Sequence, residues 1–166
     1  MLLEVLPKSG EEGISCLDTF TKLSKSSPAT PTNLLALCCM IKLIVTYKSV
    51  EYPNIYFETF QFISDHELID TNVKISLKFL DTVTLLLTST HLPILMLTKI
   101  LRQLAILATC SARSEITHKI VSILQTQKIK NPTNSVWSEL ATGVDFSYIS
   151  KNTWEKPGAS SIHPEI

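Results

Sequence analysis

Residues 71–88 read TNVKISLKFLDTVTLLLT, and this stretch decides the fold. Val73, Leu77, Leu80 and Leu87 fall on one helical stripe, and Ile75, Phe79, Val83 and Leu86 fall on a second beside it. Lys74, Lys78 and Asp81 are left to line a narrow polar side. A surface helix needs one apolar face; a helix that is apolar over two stripes must be covered from two sides. Such a helix belongs inside a stack of helices. Asp70 or Thr71 is the expected cap at its start.

The same period continues outward in both directions. Upstream, Pro53 suits the first turn of a helix, and Tyr56, Phe60 and Ile63 follow at i, i+4 and i+7 as a core-facing stripe. Residues 34–48, LLALCCMIKLIVTYK, carry only Lys42 and Lys48 as charges, so most of that helix's circumference must be buried. Thr32 or Asn33 is its expected cap. Pro28 and Pro31, in the break KSSPATPTN, separate it from an earlier helix over residues 14–24. Downstream, STHLP at residues 89–93 turns the chain. Pro93 then starts a helix with Ile94, Leu97, Leu101 and Leu104 inside and Lys99, Arg102 and Gln103 outside. Residues 111–114 break it, and Glu115 stands where negative charge suits the next helix dipole. Ile116, Ile120, Ile123 and Gln127 set that helix's face, and Asn131–Pro132 ends the regular part.

Helix starts near residues 33, 53, 72, 93 and 114 lie about 20 residues apart, so a pair of helices has the length of a HEAT-type hairpin. The expected fold is all-α, an irregular α-solenoid of HEAT-like helical hairpins over residues 1–131, with a helical bundle as the alternative. Residues 132–166 form a poorly regular tail. Trp137, Phe146, Tyr148 and Trp154 are scattered there among polar residues, so the tail is either packed on the stack through aromatic anchors or disordered.

Composition narrows the function. With 166 residues, 45% of them apolar, the chain fits one domain with a sizeable core. Fifteen basic residues balance fifteen acidic ones with no basic run, unlike a protein that grips nucleic acid through its own surface. Cys16, Cys38, Cys39 and Cys110 form no CxxC pair and read as reduced thiols of the cytosol or nucleus. The opening MLLEVLPKSG is not a signal peptide, and charges at Lys42, Lys99 and Arg102 interrupt the longest apolar runs before they could span a membrane.

His66, His91, His118 and His163 lack metal-ligand spacing, and no GxGxxG, GxxxxGK[ST] or GxSxG occurs. Cys110 and His118 are separated by a predicted break with no third group to orient them. Glu11, Glu12, Asp65 and Glu67 read as solvated loop and helix-end charges. No catalytic residue, metal, cofactor or small-molecule substrate is therefore expected. Lys99, Arg102 and Arg113 could meet a phosphate together, but their spacing is that of a helix's wet face.

Three stretches, in order along the chain, carry a family resemblance. The first, NLLALCCMIKLIVTYKSVEYPNIYFETF at residues 33–60, is an apolar helix, a Glu51–Tyr52–Pro53 turn and Tyr56 three residues on. The second, FLDTVTLLLTSTHLPILMLTKILRQLAILA at residues 79–108, contains the turn Ser89, Thr90, His91, Leu92, Pro93. The third is Trp154–Glu155 followed by His163–Pro164–Glu165. Together they resemble the conserved helical region of the nucleolar complex protein four family, which belongs to the CCAAT-binding-factor type of ribosome assembly proteins.

The resemblance implies a non-catalytic scaffold in the nucleus and nucleolus, acting in rRNA processing for small-subunit ribosome biogenesis. Its implied partners are a nucleolar protein fourteen homologue and other proteins of the small-subunit processome, with pre-rRNA contacted indirectly and no membrane involved. Lys99 and Arg102 on one rim, with Trp154, Glu155, His163, Pro164 and Glu165 in the tail, are the candidate partner contacts. The matching turn residues suit structure: Pro53 and Pro93 start helices, and Tyr52 and Tyr56 fill the gap between hairpins. Where the family has three basic positions after its His-Leu-Pro turn, this chain keeps only Arg102 in the run Arg102, Gln103, Leu104, Ala105, Ile106. The family's aspartate-rich segment is replaced by NSVWSELATGVDFSYISKN. Both departures point away from charge-mediated RNA contact. Family members extend further at both ends, so a truncated or shortened relative is expected. Helical packing alone would equally suit a cytosolic helical-repeat adaptor in protein-complex or transport assembly.

Overall fold

In the computed structural model the described residues are 10–25, 29–46, 54–88 and 92–142, and every regular element among them is an α-helix. Among these residues no helix is long and apolar enough to cross a membrane.

The first two helices are α1 (Gly10–Ser24) and α2 (Pro31–Thr46), packed on each other. α1 starts ahead of the expected residue 14. A glycine inside a helix costs about 1 kcal/mol against alanine, and docking offsets that, since Leu17 and Phe20 lie against the core. α2 also starts early, at Pro31 rather than after Thr32 or Asn33, because proline at the first helical position gives up no hydrogen bond. Asn33 reaches back from the first turn instead of capping it from outside. The Thr30 backbone N–H and hydroxyl both donate to its Oδ1, at 2.7 and 2.6 Å. Its Nδ2 donates to the Leu23 and Ser24 carbonyls, which the end of α1 leaves without helical partners. As its near-absence of charge requires, α2 buries Leu34, Ala36, Leu37, Cys38, Cys39, Met40, Ile41 and Leu43.

Next come α3 (Ile55–Ser64), the short α4 (His66–Thr71) and α5 (Val73–Leu87). The core line of α3 is Ile55, Thr59 and Ile63 with Phe60 beside it, so Tyr56 is half-buried at the border of the expected stripe. Asp65 is not a free charge: its Oδ1 accepts from the Leu68 N–H and starts α4. The cap of α5 is Asn72, whose Oδ1 accepts from the Ile75 N–H at 3.1 Å, not Asp70 or Thr71. Residues 66–71 coil into a helix of their own, which leaves extended Asn72 as the N-cap. Asp70 is spent elsewhere, accepting from the Ser111 hydroxyl at 2.6 Å and the Ala112 N–H at 2.8 Å.

The remaining helices are α6 (Ile94–Cys110), α7 (Ser114–Lys130) and α8 (Val136–Ala141). Leu97, Leu101 and Leu104 are buried as expected, but Ile94, on the same stripe, is 63% exposed. It lies in the first turn, beyond the reach of the helices that cover the rest. Lys99, Arg102 and Gln103, expected outside, are half-buried, and for Arg102 the cover is α8. Ile116, Ile120, Ile123 and Gln127 of α7 are buried. Residues 132–142, assigned to an irregular tail, include the helical turn of α8, with Val136 buried and Trp137 and Leu140 against the core. Phe146, Tyr148 and Trp154 lie outside the described residues.

α5 is the element that joins the others. It contacts α2, α4 and α7, while α3 contacts α6 and α6 contacts α7. Thr82 shares a hydrogen bond with Cys38 of α2, and Asp81 is bridged by Lys119 of α7. The stripe beside Thr82, with Phe79 and Leu86, therefore faces α2, and the stripe beside Asp81, with Leu77 and Leu80, faces α7. Phe79 is wholly out of water at this junction. Replacing it with alanine should lower unfolding free energy by about 3–5 kcal/mol in urea titrations, whereas Lys74→Ala on the exposed side should stay within about 0.5 kcal/mol. Equal effects of the two would contradict two-sided packing of α5.

Candidate partner-binding surface

The candidate contacts Lys99 and Arg102 stand one turn apart on α6, and Arg102 lies on the side that α8 approaches. Arg102 Nε donates to Glu139 Oε2 at 2.9 Å, and its Nη2 donates to Oε1 at 2.6 Å. This is the fork-to-fork geometry that makes arginine–carboxylate pairs directional. Both side chains are about three-quarters covered, at 26% and 28% exposure. One turn back, Asn134 Nδ2 donates to Thr98 Oγ1 at 2.9 Å, while Asn134 Oδ1 accepts from the Val136 N–H at 3.1 Å. Asn134 thus starts α8 and fastens that start to α6. The Trp137 indole N–H donates to the Asn131 carbonyl at 2.6 Å, which turns the chain from α7 into α8.

Beneath this surface, Gln127 is fully buried. Its Oε1 accepts from Asn131 Nδ2, and its Nε2 has no partner among the described residues. The exposed apolar residues of the neighbourhood are Ile94, Leu95 at 60% and Ile129 at 83%.

Of the other residues singled out, Leu92 packs half-buried on the core and Pro93 directly precedes α6. Tyr56 is half-buried, and burial raises its phenol pKa. Arg113 is exposed at the start of α7, away from the Arg102–Glu139 pair. Glu51, Tyr52, Pro53, Ser89, Thr90 and His91 lie outside the described residues, as do Trp154, Glu155, His163, Pro164 and Glu165. Glu139, Asn134 and Thr98 escaped the sequence reading; the i, i+3 spacing of Trp137 and Leu140 was the available signal for α8.

Chemistry elsewhere is structural in character. Glu58 is buried on α3, where Lys25 pairs with it at 3.3 Å and the Ser24 hydroxyl donates to it at 3.4 Å, closing α1 onto α3. A pocket of about 220 Å³ is lined by Phe57, Phe60, Gln61, Ser64 and Asp65, whose carboxylate is already committed to capping α4. No group of three or more metal-ligating side chains occurs among the described residues. Cys110 is exposed, whereas Cys38 and Cys39 are buried. Burial pushes the Cys38 thiol from 9.0 up to about 12, against the opposing hydrogen bond with Thr82, and also raises Cys39. Neither is a nucleophile near neutral pH.

Two measurements follow from this geometry. A double-mutant cycle on Arg102→Ala and Glu139→Ala should give a coupling energy of about 1 kcal/mol, the upper end for a pair with this exposure. No coupling would mean that the fork does not hold α8. For Cys38, the folded state keeps its proton above pH 9.0 while the unfolded state loses it, so the folded state binds more protons there. Its contribution is intact below pH 9.0 and is lost as pH rises toward about 12. The slope is at most about 1.4 kcal/mol per pH unit. Urea midpoints of the parent should fall faster over this window than those of Cys38→Ala; parallel curves would contradict a buried protonated thiol.

No protein-family model, curated protein or solved structure matches the chain.

Proposed function

We propose that the chain is a non-catalytic helical scaffold in small ribosomal subunit biogenesis, working in the nucleus and nucleolus. On this reading it binds a nucleolar protein fourteen homologue within the small-subunit processome and meets pre-rRNA through its protein partners. The observation that carries the proposal is the ordered set of three stretches over roughly residues 34–166, which resemble those of the nucleolar complex protein four family in the same order.

The architecture we propose is an irregular α-solenoid of HEAT-like hairpins. α1 with α2 and α6 with α7 would be two hairpins, and α3 and α5, joined through α4, lie between them, α3 packed on α6 and α5 on α2 and α7. What supports this reading is the row of contacts from α2 to α5 to α7, together with the contact of α3 with α6. A packed stack offers a preformed surface, so most of the ordering cost of association falls on the partner. The chain's zero net charge supports protein rather than RNA as the direct partner. Lys99 and Arg102 on α6 and the residues Trp154, Glu155, His163, Pro164 and Glu165 are the proposed contacts.

Tagged chain expressed in its native cells and purified at moderate salt should bring down nucleolar protein fourteen and small-subunit precursor factors. Recovery of coat, transport or cytoskeletal proteins would replace this reading with a cytosolic adaptor. Chaperones alone would overturn both.

A further inference from the structure

α8 covers one side of α6 with little of its own. Among its six residues Val136 is wholly out of water, Trp137, Glu139 and Leu140 are half-buried, and Ser138 and Ala141 are exposed. A single helical turn and a half does not persist alone in water, so it forms on a template. α6 supplies two parts of that template, the Thr98 hydroxyl at the head of α8 and the Arg102 guanidinium that takes Glu139 on both oxygens, and the shared core in which Val136 is buried supplies the third.

The template is longer than the helix that fills it. Asn134 meets Thr98 and Glu139 meets Arg102, so α8 runs in the same direction as α6. Leu95 lies three residues before Thr98 and seven before Arg102, on the same stripe, roughly 4.5 Å further back at 1.5 Å per residue. It is 60% exposed, with Ile94 beside it at 63%. The apolar surface therefore continues past the point where α8 begins.

We infer that this side of α6 is an exchangeable helix-docking groove, held by α8 in the free chain and taken over by a partner's helix of greater length. The partner helix is acidic and amphipathic. It carries an aliphatic residue followed by tryptophan, a glutamate two positions on and then leucine, the order of Val136, Trp137, Glu139 and Leu140. It also extends at least one apolar turn ahead of that set. The sign of the charge follows from Arg102, which takes a carboxylate in this position already. Length supplies the advantage, because covering the 60% of Leu95 that stands exposed is worth roughly fivefold to twentyfold in affinity. The inference rests on the scaffold reading above and adds the chemistry of the segment that docks.

The test uses labelled peptides and the full chain, read by fluorescence anisotropy. The short peptide is the sequence of residues 133–142; the long one carries an additional Leu-Ala-Ala-Leu turn at its start. The long peptide should bind the Val136→Asp chain at least tenfold tighter than the parent, whose own α8 competes. It should also bind that chain about fivefold or more tighter than the short peptide does. Glu139→Lys in the peptide should cost about tenfold, and Arg102→Glu in the chain should restore the loss. Equal binding by both peptides, or indifference to the charge swap, would overturn the groove. Because Val136→Asp could unfold the chain, hydrogen exchange on the parent provides the second reading. Saturating long peptide should strip protection from residues 137–142, and unchanged protection there overturns exchange. Peptide binding without recovery of nucleolar protein fourteen from cells would sink the scaffold assignment and leave the groove. Recovery unaffected by Arg102→Glu would do the reverse.

Discussion

Asp81 and Thr82 are neighbours in the chain and 100° apart on α5, and they meet different helices: Lys119 of α7 and Cys38 of α2. Between them the helix presents Phe79, Leu80, Val83 and Leu86, all out of water. The need to cover α5 from both sides governs the rest of the fold. α2 meets α1, α3 and α4 as well as α5, which is why it can carry so few charges. α7 meets α5 and α6 and keeps a solvent side, and its sequence is correspondingly amphipathic. Apolar burial sets which helices touch, and local polar groups set how the chain enters and leaves each one.

Those polar groups sit at helix ends. Asn33 joins the start of α2 to the end of α1, and Asp70 joins the end of α4 to the turn between α6 and α7. Glu58, with Ser24 and Lys25, joins α1 to α3. Where the tied groups are buried, as Ser24, Asn33 and Glu58 are, leaving them without partners would cost about 1–3 kcal/mol apiece. The ties favour one arrangement of apolar helices that could otherwise slide along one another. Gln127 is the exception, with a buried amide nitrogen unmatched among the described residues.

The long helices were legible because their stripes repeat over three turns or more. α7 buries the residues that its periodicity names, Gln127 included; α5 buries Phe79, Leu80, Val83, Leu86 and Leu87 of its two stripes, while Val73, Ile75 and Leu77 nearer its start are half-buried. Periodicity gives the direction of a face but not where the neighbouring helix ends, so Ile94 falls on the inner stripe and yet stands in solvent. Caps were misplaced by one to three residues because several polar residues compete at each turn, as Asp70, Thr71 and Asn72 do before α5. At the site, Lys99 and Arg102 could be named from the sequence. Glu139 could not, because it reaches Arg102 only when α8 docks, and a six-residue helix is too short to announce itself by period. The third motif, at Trp154–Glu155 and His163–Pro164–Glu165, falls outside the described residues.

An arginine at position 102 does something a lysine would not. An apolar face such as that of α6 holds a helix without fixing its register, since leucine and valine contacts change little when a helix slides by one turn. A planar guanidinium gripping both oxygens of one carboxylate is satisfied in a single register and orientation. Thr98 with Asn134 supplies a second fixed point one turn away, so two polar contacts define the axis and apolar contacts supply the affinity. Partial exposure, about a quarter of each side chain, keeps the arginine–carboxylate pair from the full desolvation cost of a buried ion pair. A surface built in this way holds a short helix in one pose while leaving it dependent on few contacts. That combination, specific in register and modest in strength, is what a site needs if its occupant is to change.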